Sequence, residues 1–167
     1  KSGARVLCTV EEFLGTRYLE LLDGALGRGE DRPFAKLPNL ERVVLLRGTV
    51  PEASRRTGLA EWAEFLAAGK TVSGDAARAR ADAVGPDDLS DILFTSGTTG
   101  KPKGVMTAHG QNLRAFETWS EVVGLREDDR YLVVNPFFHS FGYKAGWLSS
   151  IMRGATVYPQ LVFDVPQ

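Results

Sequence analysis

Apolar and polar positions along the chain switch between strand-like and helix-like spacing. Ala4–Cys8 is a short β-leaning run. Behind it, Thr9 and Glu12 stand three residues apart, the spacing of a reciprocal helix cap, which predicts a helix running to about Leu22. Gly24, Gly27, Gly29 and Pro33 predict a loop, and Glu41–Leu46 reads as a buried strand ended by Gly48. Leu59, Trp62, Phe65 and Leu66 recur at helical spacing, predicting a short amphipathic helix closed by Gly69 with Trp62 in the core. Asp75–Ala83 is rich in Ala and Arg and has no apolar stripe, so it reads as a solvated helix or linker. A strand at Ile92–Thr95, a Gly/Thr loop and a second strand at about 103–107 follow. Next come a helix presenting Leu113, Phe116, Ser120 and Val123, a strand at Tyr131–Val134, a helical stretch over Phe138–Met152 stopped by Gly154, and a last strand at Ala155–Tyr158. This order predicts an α/β fold, a layered sheet with helices, in which residues 1–84 and 85–167 form two parts of one domain.

Composition narrows the function classes. The 20 Lys and Arg against 21 Asp and Glu, with 43% hydrophobic and 25% charged residues, are the balance of a folded globular protein and exclude disorder, collagen and a disulfide scaffold. Cys8 is the sole cysteine and has no internal partner, so a reducing compartment, the cytoplasm, is the expected setting. A net charge of -1 argues against a dedicated nucleic-acid surface. The weakly charged run Tyr131–Phe163 is interrupted by Lys144, Arg153, Asn135, Pro136 and His139 and falls short of the ~20 apolar residues that span a bilayer. Lys1–Arg5 lacks the order of a signal peptide.

The placement of charge carries more than its sum. Lys1–Asp91 holds 15 acids and 13 bases, whereas Ile92–Phe116 holds no acid and carries Lys101, Lys103 and Arg114, a local field for an anion. Within that stretch Thr95-Ser96-Gly97-Thr98-Thr99-Gly100-Lys101-Pro102-Lys103 combines hydroxyl donors, glycines that let the backbone approach closely, and two ammonium groups. A polyphosphate needs that mixture. The G-x-x-x-x-G-K-[ST] loop is not its source: Thr95 stands where the first glycine belongs, and Pro102 replaces the hydroxyl that would bind Mg²⁺. Pro102 and the residues after it favour an extended strand, so the loop joins two strands.

Residues Thr95–Lys103 resemble the phosphate-loop signature of the adenylate-forming superfamily, which holds acyl-CoA synthetases, luciferases and peptide-synthetase adenylation domains. The resemblance implies ATP, Mg²⁺ and coenzyme A as cofactors and co-substrates, and a two-step reaction. A carboxylate first attacks the α-phosphate to give an acyl-adenylate and pyrophosphate; a thiol then displaces AMP. It further implies that Thr95, Ser96, Gly97, Thr98, Thr99, Gly100, Lys101 and Lys103 hold the phosphates, with Lys101 acting electrostatically as pyrophosphate departs.

A second segment, Asn135-Pro136-Phe137-Phe138-His139-Ser140-Phe141-Gly142-Tyr143-Lys144, resembles the stretch where acyl-CoA synthetases place a histidine at the carboxylate end of the acyl pocket. By that resemblance His139 is catalytic and Phe138, His139, Phe141, Gly142, Tyr143 and Lys144 shape the pocket. The bland alternative for His139 is a hydrogen-bonded core residue, and for Lys144 a snorkelling surface lysine. Peptide-synthetase domains generally carry an acid near this place, so His139-Ser140 points to the acyl-CoA synthetase branch. Phe-Gly-Tyr-Lys-Ala-Gly resembles a bacterial subset acting on fatty or steroid-derived acids, and an ammonium in such a pocket would suit a substrate bearing carbonyl or hydroxyl groups. His109, after the second strand, is expected to cap or support the next helix.

The resemblance covers residues 85–167 well and 1–84 by order of elements. Members of the superfamily are several times longer, and the adenine, ribose and metal segments and the C-terminal domain with its lysine are not found here. The expectation is an internal piece of the large N-terminal domain, inactive alone, with exposed sheet edges that favour a homodimer. The alternative is a non-catalytic nucleotide- or acyl-CoA-binding module.

Overall fold

The computed structural model of the chain describes residues 2–26, 34, 36–52, 57–95 and 100–162. Contacts divide it into two compact units, Lys1–Ala79 and Arg80–Gln167.

The first unit begins with strand β1 (Val6–Thr9), a hairpin of β2 (Glu12–Phe13) and β3 (Thr16–Arg17), and helix α1 (Tyr18–Leu26). Strands β4 (Arg42–Leu45) and β5 (Leu59–Glu61) and helix α2 (Trp62–Gly69) follow. β4 lies between β1 and β5 and is parallel to both. Its residues Val43, Val44 and Leu45 are buried, as the apolar run predicted. One cluster joins Phe34, Leu40 and Val43 with Leu7, Leu22 and Leu59; a second joins Leu19, Leu45 and Val50.

Two expectations for this unit are corrected. The chain after Thr9 forms a hairpin and not a helix. Leu14 at φ 50 and Gly15 at φ 75 are both left-handed, the requirement of the two-residue turn that brings Phe13 onto Thr16. The Thr9 hydroxyl donates to the Val10 carbonyl at 3.4 Å, and the helix starts at Tyr18 and continues through Gly24 to Leu26. Leu59 is drawn into the sheet against Val43, so the next helix begins only at Trp62. That start turns Trp62 outward: it is 41% exposed and stacks on Phe65 instead of entering the core. The loop glycines Gly27 and Gly29 and Pro33 lie outside the described residues.

Helix α3 (Gly74–Asp82) has no buried residue, as its lack of an apolar stripe predicted. The Ser73 hydroxyl accepts the Ala76 amide at 3.1 Å, and Asp75 pairs with Arg78 one turn on at 2.6 Å.

The second unit opens with strands β6 (Leu89–Thr95) and β7 (Lys103–Ala108), an antiparallel pair. Helix α4 (His109–Val123) and strand β8 (Arg130–Val133) follow. A π-helix (Phe141–Leu148) then runs into α5 (Ser149–Arg153), and β9 (Thr156–Pro159) lies parallel to β8. His109 begins α4, its amide bonded to the Asp88 carbonyl at 3.1 Å.

The helices here differ in detail from the apolar pattern. On α4 the inward row is Asn112, Phe116 and Ser120, while Leu113 and Val123 are exposed at 47% and 53%. A polar partner at Asn112, described below, sets that rotation. The predicted helix over Phe138–Met152 begins only at Phe141 and is wound with the wider i→i+5 spacing as far as Leu148. Among the described residues the strands form four small sheets and not one layered sheet, within an α/β class that the expectation named correctly.

Candidate active site

Strands β6 and β7 end on the register pair Thr95 and Lys103, where the Thr95 hydroxyl donates to the Lys103 carbonyl at 3.5 Å. Thr95 and Lys103 are thus the facing ends of two antiparallel strands, the strand-to-strand connection that Pro102 indicated. Gly100 has φ 77, a conformation that glycine alone adopts without strain. Lys101 and Lys103 are exposed, as is Thr95. Ser96, Gly97, Thr98 and Thr99, also expected to hold phosphate, lie outside the described residues. The described members fit a polyanion: two exposed cations and a left-handed glycine lie within Gly100–Lys103, inside the acid-free stretch Ile92–Phe116.

The second candidate segment leaves β8 through Asn135 and Pro136. The His139 amide donates to the Pro136 carbonyl at 3.0 Å, and the His139 Nδ1 accepts the Phe141 amide at 3.1 Å. An accepting Nδ1 leaves the proton of the neutral ring on Nε2. His139 is exposed and Phe138 is 84% exposed, so neither side chain is packed into a core within this chain. Phe141 meets Trp119 edge-on at 6.1 Å, Trp119 stacks on Tyr131, and Tyr143 stacks on Trp147 at 5.6 Å. Gly142 is packed so closely that a Cβ would strike the backbone oxygens of Asn135 and Pro136. In the full-length protein Gly142→Ala is expected to cost about 1–3 kcal/mol, read as a lowered urea midpoint. An unchanged midpoint would show that the Asn135–Pro136 turn yields.

Lys144 is neither at the surface nor free to meet a substrate unaided. It is 5% exposed, and its Nζ lies 3.0 Å from Asp91 Oδ1 and donates to the Thr107 hydroxyl at 3.2 Å. That hydroxyl donates in turn to Asp91 Oδ1 at 3.3 Å. Asn112 Nδ2 donates to Asp91 Oδ2 at 2.6 Å and reaches the Ser90 hydroxyl at 3.1 Å. Burial pushes the Asp91 carboxyl up, but the hydrogen bonds from Lys144 and Asn112 and the charge of Lys144 outweigh it and hold the group below its ordinary range. Burial, with the Asp91 carboxylate beyond it, pushes the Tyr143 hydroxyl up against a hydrogen bond with Ser90.

Asp91, Asn112, Thr107 and Ser90 escaped the sequence reading. The available signal was the only lysine of the acid-free run Tyr131–Phe163: a lysine among aromatics needs a carboxylate, and the acid on the loop-bearing strand is Asp91. A pH dependence follows. Asp91 titrates lower folded than unfolded, so its contribution to stability is complete above the ordinary carboxylate pKa of about 3.9 and is lost as pH falls through the lower folded value. Asp91→Asn should therefore lower the urea midpoint at pH 7 and flatten its decline below pH 4. An identical decline in both proteins would exclude Asp91 as its source.

The exposed lysines at the β6–β7 connection and the exposed His139 with its aromatic neighbours both belong to the second unit, an assembly of small sheets and helices. The chain belongs to the AMP-binding enzyme family, whose sequence model matches residues 1–164. Among its relatives, the 3-(7a-methyl-1,5-dioxo-octahydro-1H-inden-4-yl)propanoyl:CoA ligase of Rhodococcus jostii is 45% identical over 100% of this chain and 30% of its own length. The ligase of the same name from Mycobacterium tuberculosis is 48% identical over 98% of this chain and 29% of its own. The crystal structure of the anthranilate CoA ligase AuaEII with anthranoyl-AMP superimposes with a TM-score of 0.69 at 26% identity, covering 93% of this chain and 26% of that one. The chain thus spans about 30% of the length of the curated relatives it matches.

Among the described residues no helix is long and apolar enough to cross a membrane. Nor, among them, is any group of three or more His, Cys, Asp or Glu placed to hold a metal ion.

Proposed function

We propose that this chain is part of an ATP-dependent carboxylate:CoA ligase and supplies its phosphate loop and the carboxylate end of its acyl pocket. The observation that carries the reading is the hairpin register ending on Thr95 and Lys103, which frames a loop of hydroxyls, glycines and lysines in an acid-free stretch. In the first step a substrate carboxylate oxygen bonds to the α-phosphorus of ATP and pyrophosphate leaves. In the second the thiolate of coenzyme A bonds to the acyl carbon and AMP leaves.

Thr95 and the loop through Lys103 bind the β- and γ-phosphates through hydroxyls and backbone amides. Lys101, exposed at the loop's end, neutralises charge that grows on the departing pyrophosphate. His139 offers its Nε2 proton to the substrate carboxylate, with the ring held in that tautomer by the Phe141 amide. Phe138, Phe141, Gly142 and Tyr143 line the acyl side. Magnesium accompanying ATP would be held largely by the phosphates themselves, and no residue of this chain is assigned to it.

Identity of 45–48% to two ligases named for a bicyclic dioxo-propanoate supports a ring-bearing keto acid as substrate. The test is ATP–pyrophosphate exchange by the full-length protein with that acid, straight-chain fatty acids and anthranilate. Exchange that depends on the acid and is fastest with the bicyclic keto acid is expected. ATP binding without exchange for any acid would overturn the reading in favour of a non-catalytic nucleotide-binding module.

A further inference from the structure

Four elements converge on one buried carboxylate. Asp91 belongs to β6, Thr107 to β7, Asn112 to α4 and Lys144 to the π-helix, and each of the last three bonds to Asp91. The ionic partners are almost sealed from water, with side chains 6% and 12% exposed for Lys144 and Asp91. A pair of this kind is poor value as a source of stability, because desolvation offsets most of the attraction, and well-packed apolar residues often do as well. Its distinguishing property is directional: both carboxylate oxygens have fixed partners, so sliding any of the four elements breaks a bond. Asp91 stands four residues before Thr95, roughly 13 Å along the strand that delivers the phosphate loop. Lys144 directly follows Tyr143 on the helix that carries the proposed acyl side.

We propose that Asp91 and Lys144 are positioning residues, an ionic junction that fixes the phosphate-loop hairpin relative to the π-helix so that ATP and the carboxylate meet in register. The inference rests on the ligase reading for its catalytic consequence but not for its structural one. Lys144 accordingly acts through Asp91, which replaces the expectation that its ammonium meets the substrate.

The decisive variant in the full-length protein is Lys144→Met combined with Asp91→Leu, which removes both charges and leaves neither orphaned. It is expected to melt within a few degrees of the wild type, yet to lose about tenfold or more in kcat for pyrophosphate exchange, with raised KM for ATP and for the acid. Lys144→Arg, which keeps a cation on the carboxylate, is expected to retain most of the rate. If the double variant does not fold, the comparison passes to Asp91→Glu, in which a displaced junction is expected to change kcat more than melting temperature, with Lys144→Arg as the conservative control. Wild-type kcat and KM in a folded double variant or, where that variant does not fold, in Asp91→Glu would make the junction structural only and overturn the proposal.

A second readout needs no ligase activity. Amide hydrogen exchange in peptides covering residues 91–95 and 103–107 is expected to quicken in whichever variant folds, while β8 and β9 keep their protection. Unchanged exchange in the hairpin overturns the junction even if the wild type proves to be a ligase. Quickened hairpin exchange in a wild-type background that activates no acid upholds the junction and sinks the ligase reading instead.

Discussion

Lys101→Ala in the full-length protein is expected to slow ATP–pyrophosphate exchange about 100-fold, the usual cost of removing one preorganised charge or donor from developing negative charge. The melting temperature should not move, because Lys101 is exposed at the end of the loop and belongs to neither hydrophobic cluster. The loss belongs mainly in kcat. The ammonium contributes most when the bond to pyrophosphate is breaking, whereas hydroxyls and amides of the loop also hold ATP in the ground state. Lys101→Arg should recover part of the rate, since charge is kept and only reach and geometry change. Full exchange in Lys101→Ala would move the electrostatic role elsewhere, with Lys103 the first residue to try.

His139→Ala separates the two substrates. The ring is exposed, and its Nδ1 is committed to the Phe141 amide, so one N–H is left to donate. Losing a hydrogen bond to a charged carboxylate costs roughly 10–100-fold in kcat/KM for the acid, and ATP affinity measured by calorimetry should stay within about twofold. His139→Gln, which can offer an N–H of its own, should fall between. An equal loss for ATP and acid would point to a collapsed turn, because the same ring accepts a backbone amide that helps to start the π-helix. Unchanged use of the acid would remove His139 from the pocket altogether.

Local chemistry made the hairpin legible in the sequence, and pairing made the rest hard to see. Pro102 and the residues after it announced that the loop joins two strands, and Thr95 and Lys103 are where the register ends. The apolar run at β4 was equally plain, since all of its inward residues are aliphatic. The failures share a cause. Leu59 and Trp62 have helical spacing, but a parallel strand claimed Leu59, and nothing in the local pattern encodes that distant partner. The rotation of α4 follows from Asn112 reaching Asp91, a contact spanning 21 residues, which hydrophobic periodicity ignores. Lys144 stands out by its charge among aromatics, but its partner lies far away in the sequence on β6, and no local pattern encodes that pairing.

Helix α3 has a practical use apart from catalysis. The boundary between the two compact units falls within it, after Ala79, and none of its residues is buried. Ala77 and Ala81 are exposed and carry no side-chain interaction to lose. A fluorophore or surface tether attached there, after the exposed Cys8 has been replaced by serine, would mark or immobilise the chain without entering either apolar cluster.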